Sequence, residues 1–126
     1  MLIWILLALL VYYAGVFLPS LFLIPRIGVA SYLASRDGDP EPNPMHSRAK
    51  RATRNALENL APFLALGVLA LVVPDTDMAM AILGAQLYVF GRAAFLPLYI
   101  FAVPLLRSVA FTTAFVGMVM MAFALI

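Results

Sequence analysis

The 126-residue chain contains no cysteine, and charged residues make up only 11% of it. The lack of cysteine excludes disulfides, a nucleophilic protein thiol and thiolate metal sites. Soluble domains carry about 25% charged residues, so the low charge argues against a soluble protein. The single histidine, His46, lies in a polar loop, and we predict no metal site. Hydrophobic residues account for 65% of the chain, and this composition predicts an integral membrane protein.

Apolar segments long enough to cross a bilayer, which takes about 20 residues, fill most of the sequence. We predict an all-α integral membrane protein, a single bundle of four transmembrane helices over residues 1–126. The predicted helices span about 2–33, 47–73, 78–96 and 105–126. Ser47 and Asp77 are the expected N-caps of the second and third helices, and Pro25 is expected to kink the first helix or to mark the interface. The N-terminal segment lacks a basic n-region and a small-residue cleavage site, which indicates a retained helix rather than a signal peptide.

The basic residues fall on one side of this predicted topology. All eight flank the first or the third loop: Arg26, Arg36, Arg48, Lys50, Arg51, Arg54, Arg92 and Arg107. The second loop carries Asp75 and Asp77 instead. The positive-inside rule therefore predicts that loops one and three are cytoplasmic and that both termini lie outside. Attraction to anionic membrane lipids accounts for this basic face, so we predict no nucleic-acid partner.

A polar stripe opens the second helix, in the segment RAKRATRNALENLAP at residues 48–62. At about 100° per residue, Arg51, Asn55 and Glu58 fall within an arc of roughly 60°. Arg54 precedes Glu58 at the i,i+4 spacing of a helical ion pair. An ionised carboxylate that faces lipid costs about 2.5–3.5 kcal/mol. Glu58 is therefore expected to face other helices or a wet cavity, with Arg51, Arg54 or Arg92 as its cationic partner.

Two interpretations of the stripe remain open. In the first, it is a structural cluster of ion pairs, beside basic side chains such as Arg48 that reach the lipid headgroups. In the second, it is a binding site for a small zwitterionic or anionic molecule at the cytoplasmic end of the bundle. Arginines would then hold carboxylates of the ligand, and Glu58 would hold an ammonium group. Membrane segments rarely carry such groups without a function, which favours the second interpretation.

Three motifs carry a resemblance to a known family. The stripe in RAKRATRNALENLAP is close to a pattern in the second helix of the MAPEG family, the membrane-associated proteins in eicosanoid and glutathione metabolism. The segment YVFGR at residues 88–92 resembles the end of the family's third helix, and PLLRS at residues 104–108 resembles the start of its fourth. The chain thus resembles a bacterial-type member similar to the microsomal glutathione transferases and prostaglandin E synthase.

The resemblance implies a homotrimer that binds glutathione between subunits near the cytoplasmic face, with lipophilic electrophiles entering from the membrane. Residues implied to bind glutathione are Arg51, Arg54, Asn55, Glu58, Arg92, Tyr99 and, near the end of the first helix, Arg36 (or Arg26 in its place). Arg107 matches an arginine that lowers the pKa of the bound thiol, and Ser108 is a second catalytic candidate. A nearby cation favours the thiolate, which is the nucleophile.

Alternatives remain for these residues and for the function. Tyr99 is also interpretable as an aromatic anchor at the membrane interface, and Arg107 as a positive-inside anchor. We expect a glutathione-dependent transferase or peroxidase that acts on lipophilic electrophiles. The alternative is a non-catalytic lipid-binding or structural membrane protein of the same fold, and a small transporter is less favoured because further intramembrane charges are lacking. The absence of a long extension or retention tail favours a bacterial inner membrane.

Overall fold

The computed structural model describes residues 1–35 and 43–126. Its four helices are α1 (Leu2–Leu33), α2 (Pro44–Val72), α3 (Met78–Ile100) and α4 (Pro104–Phe123). Each helix is long and apolar enough to cross a membrane. Throughout the described ranges, every regular element is a helix. The predicted all-α fold with four membrane-spanning helices is confirmed.

Polar side chains fix where α2 and α3 begin. The Asn43 side-chain oxygen accepts a hydrogen bond from the Met45 amide at 3.0 Å, and Pro44 occupies the first helical position. Asn43 rather than Ser47 is therefore the N-cap of α2, because proline at the first turn loses no helical hydrogen bond. The predicted cap of α3 is confirmed: the Asp77 carboxylate accepts from the Met80 amide at 3.0 Å.

The first helix departs from helical geometry at Gly28 rather than at Pro25. Gly28 has φ 79° and ψ 157°, a conformation that glycine adopts without the steric cost of a Cβ. A hydrogen bond of 2.7 Å between the Ser20 and Tyr32 hydroxyls joins the two sides of this break. The last turn of α1 is thereby tied back to the body of the helix.

Glycines let α3 and α4 approach one another closely. A Cβ on Gly84 would lie 2.5 Å from the Gly117 carbonyl oxygen, and one on Gly91 would lie 2.8 Å from that of Ala110. In lipid the hydrophobic effect does not drive helices together, so close van der Waals contact at small residues supplies much of the association. These two helices form the tightest pair in the bundle, while α1 packs on α2 and α3.

Aromatic and aliphatic side chains fill the middle of the bundle. The Phe63 and Tyr88 rings stack with their centroids 4.0 Å apart and their planes within 9° of parallel. Ile5 of α1 and Met121 of α4 belong to the same buried cluster, so it joins all four helices. This cluster fixes α2 against α3 one turn below the polar residues described next.

A hydroxyl group on α2 replaces a backbone hydrogen bond that α1 lacks. The Gly15 carbonyl has no helical donor, because the residue four positions later is Pro19, which has no N–H. Thr53 Oγ1 donates to this carbonyl at 2.7 Å, and it also lies 3.0 Å from the Ala49 carbonyl of its own helix. The side chain of Thr53 therefore ties α1 to α2 through the proline-induced gap.

The close approach of α3 and α4 generates a testable prediction. Replacing Gly117 with leucine should destabilise the protein by about 1–3 kcal/mol, because overpacking forces the two backbones apart. The measurement is the thermal unfolding midpoint in detergent. Ala122→Leu is the matched control, since Ala122 is an exposed position on the same helix. Equal midpoints for the two variants would contradict the packing described.

Candidate functional site

Helices α2, α3 and α4 surround a cleft of about 310 Å³. Its lining consists of Asn55, Phe95, Tyr99, Arg107, Ser108, Phe111 and Thr112. Four of these are residues that the sequence singled out as a site: Asn55, Tyr99, Arg107 and Ser108. The cleft therefore gathers an amide, a guanidinium and three hydroxyl groups against an aromatic wall. Donors of this kind suit a ligand that carries carboxylates.

Arg92 is the buried cation behind this cleft. It is 4% exposed, and it is the one charged side chain buried among the described residues. Its Nη2 donates to the backbone carbonyl of Asn55 at 2.8 Å and to the side-chain oxygen of Asn55 at 3.1 Å. The guanidinium carbon lies 5.0 Å from the Phe95 ring centre and 5.9 Å from that of Phe111, within cation–π range.

The second guanidinium nitrogen of Arg92 is buried without a hydrogen bond of its own. Within the described part of the chain, Nη1 has no hydrogen-bond partner. A buried donor that is left unsatisfied costs about 1–3 kcal/mol, more where it is charged. Arg92 therefore keeps an unused donor, which is enclosed by protein behind the cleft. The guanidinium of Arg92 lies against the faces of two aromatic rings. No carboxylate of the described chain pairs with it.

The polar stripe of α2 divides between two faces of the helix. Asn55 points inward to Arg92, whereas the Arg54 and Glu58 side chains are 82% and 57% exposed and form an ion pair of 3.1 Å. Arg51 is exposed as well. The predicted pairing of Arg54 with Glu58 is confirmed, and neither Arg51 nor Arg92 takes that role. Within the single chain, however, Glu58 is not sheltered by other helices, contrary to the expectation.

Tyr99 and Arg107 lie against one another across the junction of α3 and α4. The Arg107 guanidinium carbon is 4.8 Å from the centre of the Tyr99 ring. This stacking orients a half-buried guanidinium at the mouth of the cleft. Ser108 follows directly, and its hydroxyl donates to the Pro104 carbonyl at 3.0 Å. The Ser108 oxygen therefore keeps its lone pairs for a ligand, while its proton is engaged.

A hydrogen-bonded corner sets the distance between these two residues. The Val103 amide donates to the Leu98 carbonyl at 2.9 Å, and the Ala102 amide donates to the Tyr99 carbonyl at 3.2 Å. This pattern is a Schellman motif, in which the residue after the C-cap adopts the left-handed conformation, usually as glycine. Here it is Ala102, with φ 58°. The helix α3 therefore runs through Pro97 to Ile100, beyond the predicted end at residue 96.

Several residues of the site were not identified from the sequence as binding residues. Phe111 and Thr112 line the cleft one helical turn after Arg107 and Ser108, a spacing that the i,i+4 rule would have revealed. Phe95 forms part of the same wall. Asn59 donates its side-chain amide to the Asn55 carbonyl at 2.8 Å. Of the predicted ligand residues, Arg36 lies outside the described ranges.

Comparison with known proteins gives one match. The family model of the MAPEG family matches the chain over residues 1–126, its full length. No curated protein and no solved structure matches the chain significantly.

The Arg92–Asn55 interaction generates a prediction on stability. Asn55→Leu should destabilise the protein by about 1.5–3 kcal/mol, because it removes an acceptor from a buried charge. Arg54→Gln removes an exposed ion pair and should cost less than about 1 kcal/mol. Both variants are compared by thermal unfolding in the same detergent. A larger loss in Arg54→Gln than in Asn55→Leu would show that the buried contact is not the important one.

Proposed function

Because the chain belongs to the MAPEG family, we propose that this integral, multi-pass membrane protein is a glutathione-dependent transferase or peroxidase that acts on lipophilic electrophiles. The observation that carries this proposal is the cleft, where Asn55, Tyr99, Arg107 and Ser108 meet next to the buried Arg92. The guanidinium and amide donors and the Tyr99 hydroxyl complement a tripeptide that has two carboxylates. The aromatic wall leaves one side of the site apolar.

The residues have distinct roles in the proposed reaction. Arg107 stabilises a thiolate over a thiol at the mouth of the cleft, and the thiolate is the nucleophilic form. Bound glutathione supplies the sulfur that forms a carbon–sulfur bond with the electrophile, while the leaving group departs with its electron pair and the thiol proton passes to solvent. With a hydroperoxide, two thiols give a disulfide, an alcohol and water. Arg92 and Asn55 hold a carboxylate, and Ser108 orients the reacting groups.

A neighbouring groove suits the lipophilic co-substrate. This groove, of about 400 Å³, lies along α3 and α4 and is lined by Leu87, Ser108, Val109, Thr112, Thr113 and Val116. Ser108 and Thr112 belong to both the groove and the polar cleft. An apolar molecule that enters from the bilayer would therefore meet the polar site at these two residues. Concentration in the bilayer and orientation along the groove would supply much of the rate gain.

We place the protein in a homotrimer, with the polar face of α2 at the contact between copies. The exposed Arg51, Arg54 and Glu58 support this placement, because a charged side chain that faces lipid costs about 2.5–3.5 kcal/mol. Glu58 would then bind the ammonium group of glutathione at the contact between subunits. Arg36, near the end of α1, remains a predicted ligand.

The second candidate function is a non-catalytic lipid-binding or structural protein of the same family. The observation that favours it is a second apolar groove of about 340 Å³, whose lining includes Phe90, Gly91, Ala94 and Leu106. Such a groove accommodates an acyl chain without any chemistry. Thiol binding separates the two candidates.

The first prediction from this proposal concerns thiol chemistry. The purified protein should bind glutathione at millimolar concentration, show the absorbance of a thiolate and conjugate a chlorodinitrobenzene-type electrophile. Arg107→Ala should lower kcat/KM by about 10²-fold, as the loss of one preorganised charge-stabilising group does in other enzymes. Glu58→Gln should weaken glutathione binding through loss of the ammonium contact.

Lys50→Gln is the control for these variants, since Lys50 is an exposed cation on α2 that does not line the cleft. Unchanged turnover in Arg107→Ala would remove the role assigned to Arg107. A complete lack of thiol binding would favour the lipid-binding candidate.

The second prediction concerns orientation in the membrane, which we propose is a bacterial inner membrane. Because the chain has no cysteine, single cysteines report sidedness without background. A cysteine at Pro74, in the link between α2 and α3, should react with a membrane-impermeant maleimide added to intact cells. A cysteine at Phe101 should react only after permeabilisation, because the positive-inside rule predicts a cytoplasmic position for that link. The reverse labelling pattern would invert the proposed topology.

A further inference from the structure

One carbonyl at the end of α3 is satisfied by a residue of another helix. In the corner after α3, the amides of Phe101, Val103 and Ala102 satisfy the carbonyls of Pro97, Leu98 and Tyr99. The next carbonyl, that of Ile100, would need the amide of residue 104, which is Pro104 and has no N–H. Arg48 Nη1 donates to this carbonyl at 3.3 Å. The negative, C-terminal end of the α3 helix dipole also stabilises the positive guanidinium.

We infer that Arg48 is a positioning residue of the site: it holds the α3–α4 corner, and through this corner it holds Tyr99 and Arg107 at the cleft. Tyr99 directly precedes the residue whose carbonyl Arg48 binds. Arg107 lies in the first turn of α4, on the other side of the corner, with its amide bonded to the Val103 carbonyl at 3.1 Å. A shift of the corner therefore moves both partners of the Tyr99–Arg107 stack.

Apart from its own backbone hydrogen bonds, the corner is packed on one side only. Ile100 is buried, but Phe101 is 66% exposed and Leu105 and Leu106 are exposed as well, so apolar packing does not hold the outer side of the corner. Ala102 adopts φ 58°, which is unfavourable for a residue with a Cβ. The Arg48 bond, from a charged donor at 3.3 Å, offsets part of this strain.

Arg48 thus differs from an ordinary cation at the lipid headgroups. Lys50 offers the comparison within the same segment, because it carries the same charge two residues later and is exposed. If Arg48 served only the headgroups, the loss of either cation would have the same effect on the corner. The positioning role requires that only Arg48 matters.

The first experiment needs no ligand. Amide hydrogen exchange is measured in full-length protein in detergent, on peptides that cover residues 98–107. Arg48→Gln should accelerate exchange of the corner amides about fivefold, as expected for the loss of one hydrogen bond that stabilises a local unit. Lys50→Gln should leave exchange unchanged. Equal exchange in the parent and Arg48→Gln, or equal acceleration in both variants, would overturn the inference.

A second variant tests the strain at Ala102. Ala102→Gly removes the Cβ that disfavours the left-handed conformation. Combined with Arg48→Gln, it should slow the exchange of the corner amides relative to Arg48→Gln alone. A double variant that exchanges as fast as Arg48→Gln would show that the corner is not the element that Arg48 supports.

The catalytic consequence rests on the proposed function and has its own readout. Arg48→Gln should lower kcat/KM by up to about 10²-fold, the cost of a misplacement of about 1 Å. Because a displaced Arg107 stabilises the thiolate less, the pKa of the bound thiol should rise and the pH–rate profile should move to higher pH. Arg48→Lys keeps a charged donor. It should therefore retain part of the kcat/KM and shift the pH–rate profile less than Arg48→Gln does. Faster exchange with an unshifted pH profile would reduce Arg48 to a structural role and overturn the inference.

The two arms separate failure of this inference from failure of the proposed function. If the parent protein shows no thiol turnover, the proposed function fails, while hydrogen exchange still decides whether Arg48 holds the corner.

Discussion

The buried guanidinium of Arg92 is the constraint around which the polar end of the bundle is built. A charge in apolar surroundings must find hydrogen-bond acceptors, and Asn55 supplies two of them, one from the backbone and one from the side chain. This requirement fixes the rotation of α2 relative to α3. It also draws Phe95 and Phe111 to the faces of the cation, and these two rings form the wall of the cleft.

Much of the fold follows from local features of the sequence. The four long apolar segments predict four membrane helices, and Asp77 caps α3 as its type and position predict. What could not be predicted depends on contacts or on competition between neighbours. Asn43 takes the place of Ser47 because Pro44 is well suited to a first helical position. Helix α3 passes through Pro97 because its end is fixed by the hydrogen bonds of the corner rather than by the proline.

The candidate site shows the same division. Asn55, Tyr99, Arg107 and Ser108 were expected from the family resemblance, and they line one cleft. Helical geometry predicts that Asn55 and Glu58 lie on the same side of α2. It does not predict which part of that side packs against the neighbouring helices. The edge with Asn55 meets Arg92, and the edge with Glu58 is exposed in the single chain. The contact of Arg48 with Ile100 joins residues far apart in sequence, so no local pattern encodes it.

The hydrogen bond between Thr53 and the Gly15 carbonyl has a consequence for biogenesis. The first helix is synthesised before the second, and Pro19 leaves it with a carbonyl that nothing within α1 can satisfy. In the hydrocarbon of a bilayer such a group is costly on its own. Until α2 arrives with its threonine, α1 thus carries one carbonyl without a hydrogen-bond donor inside the bilayer. The proline thus gives α1 a polar reason to pack against α2, in addition to apolar contact.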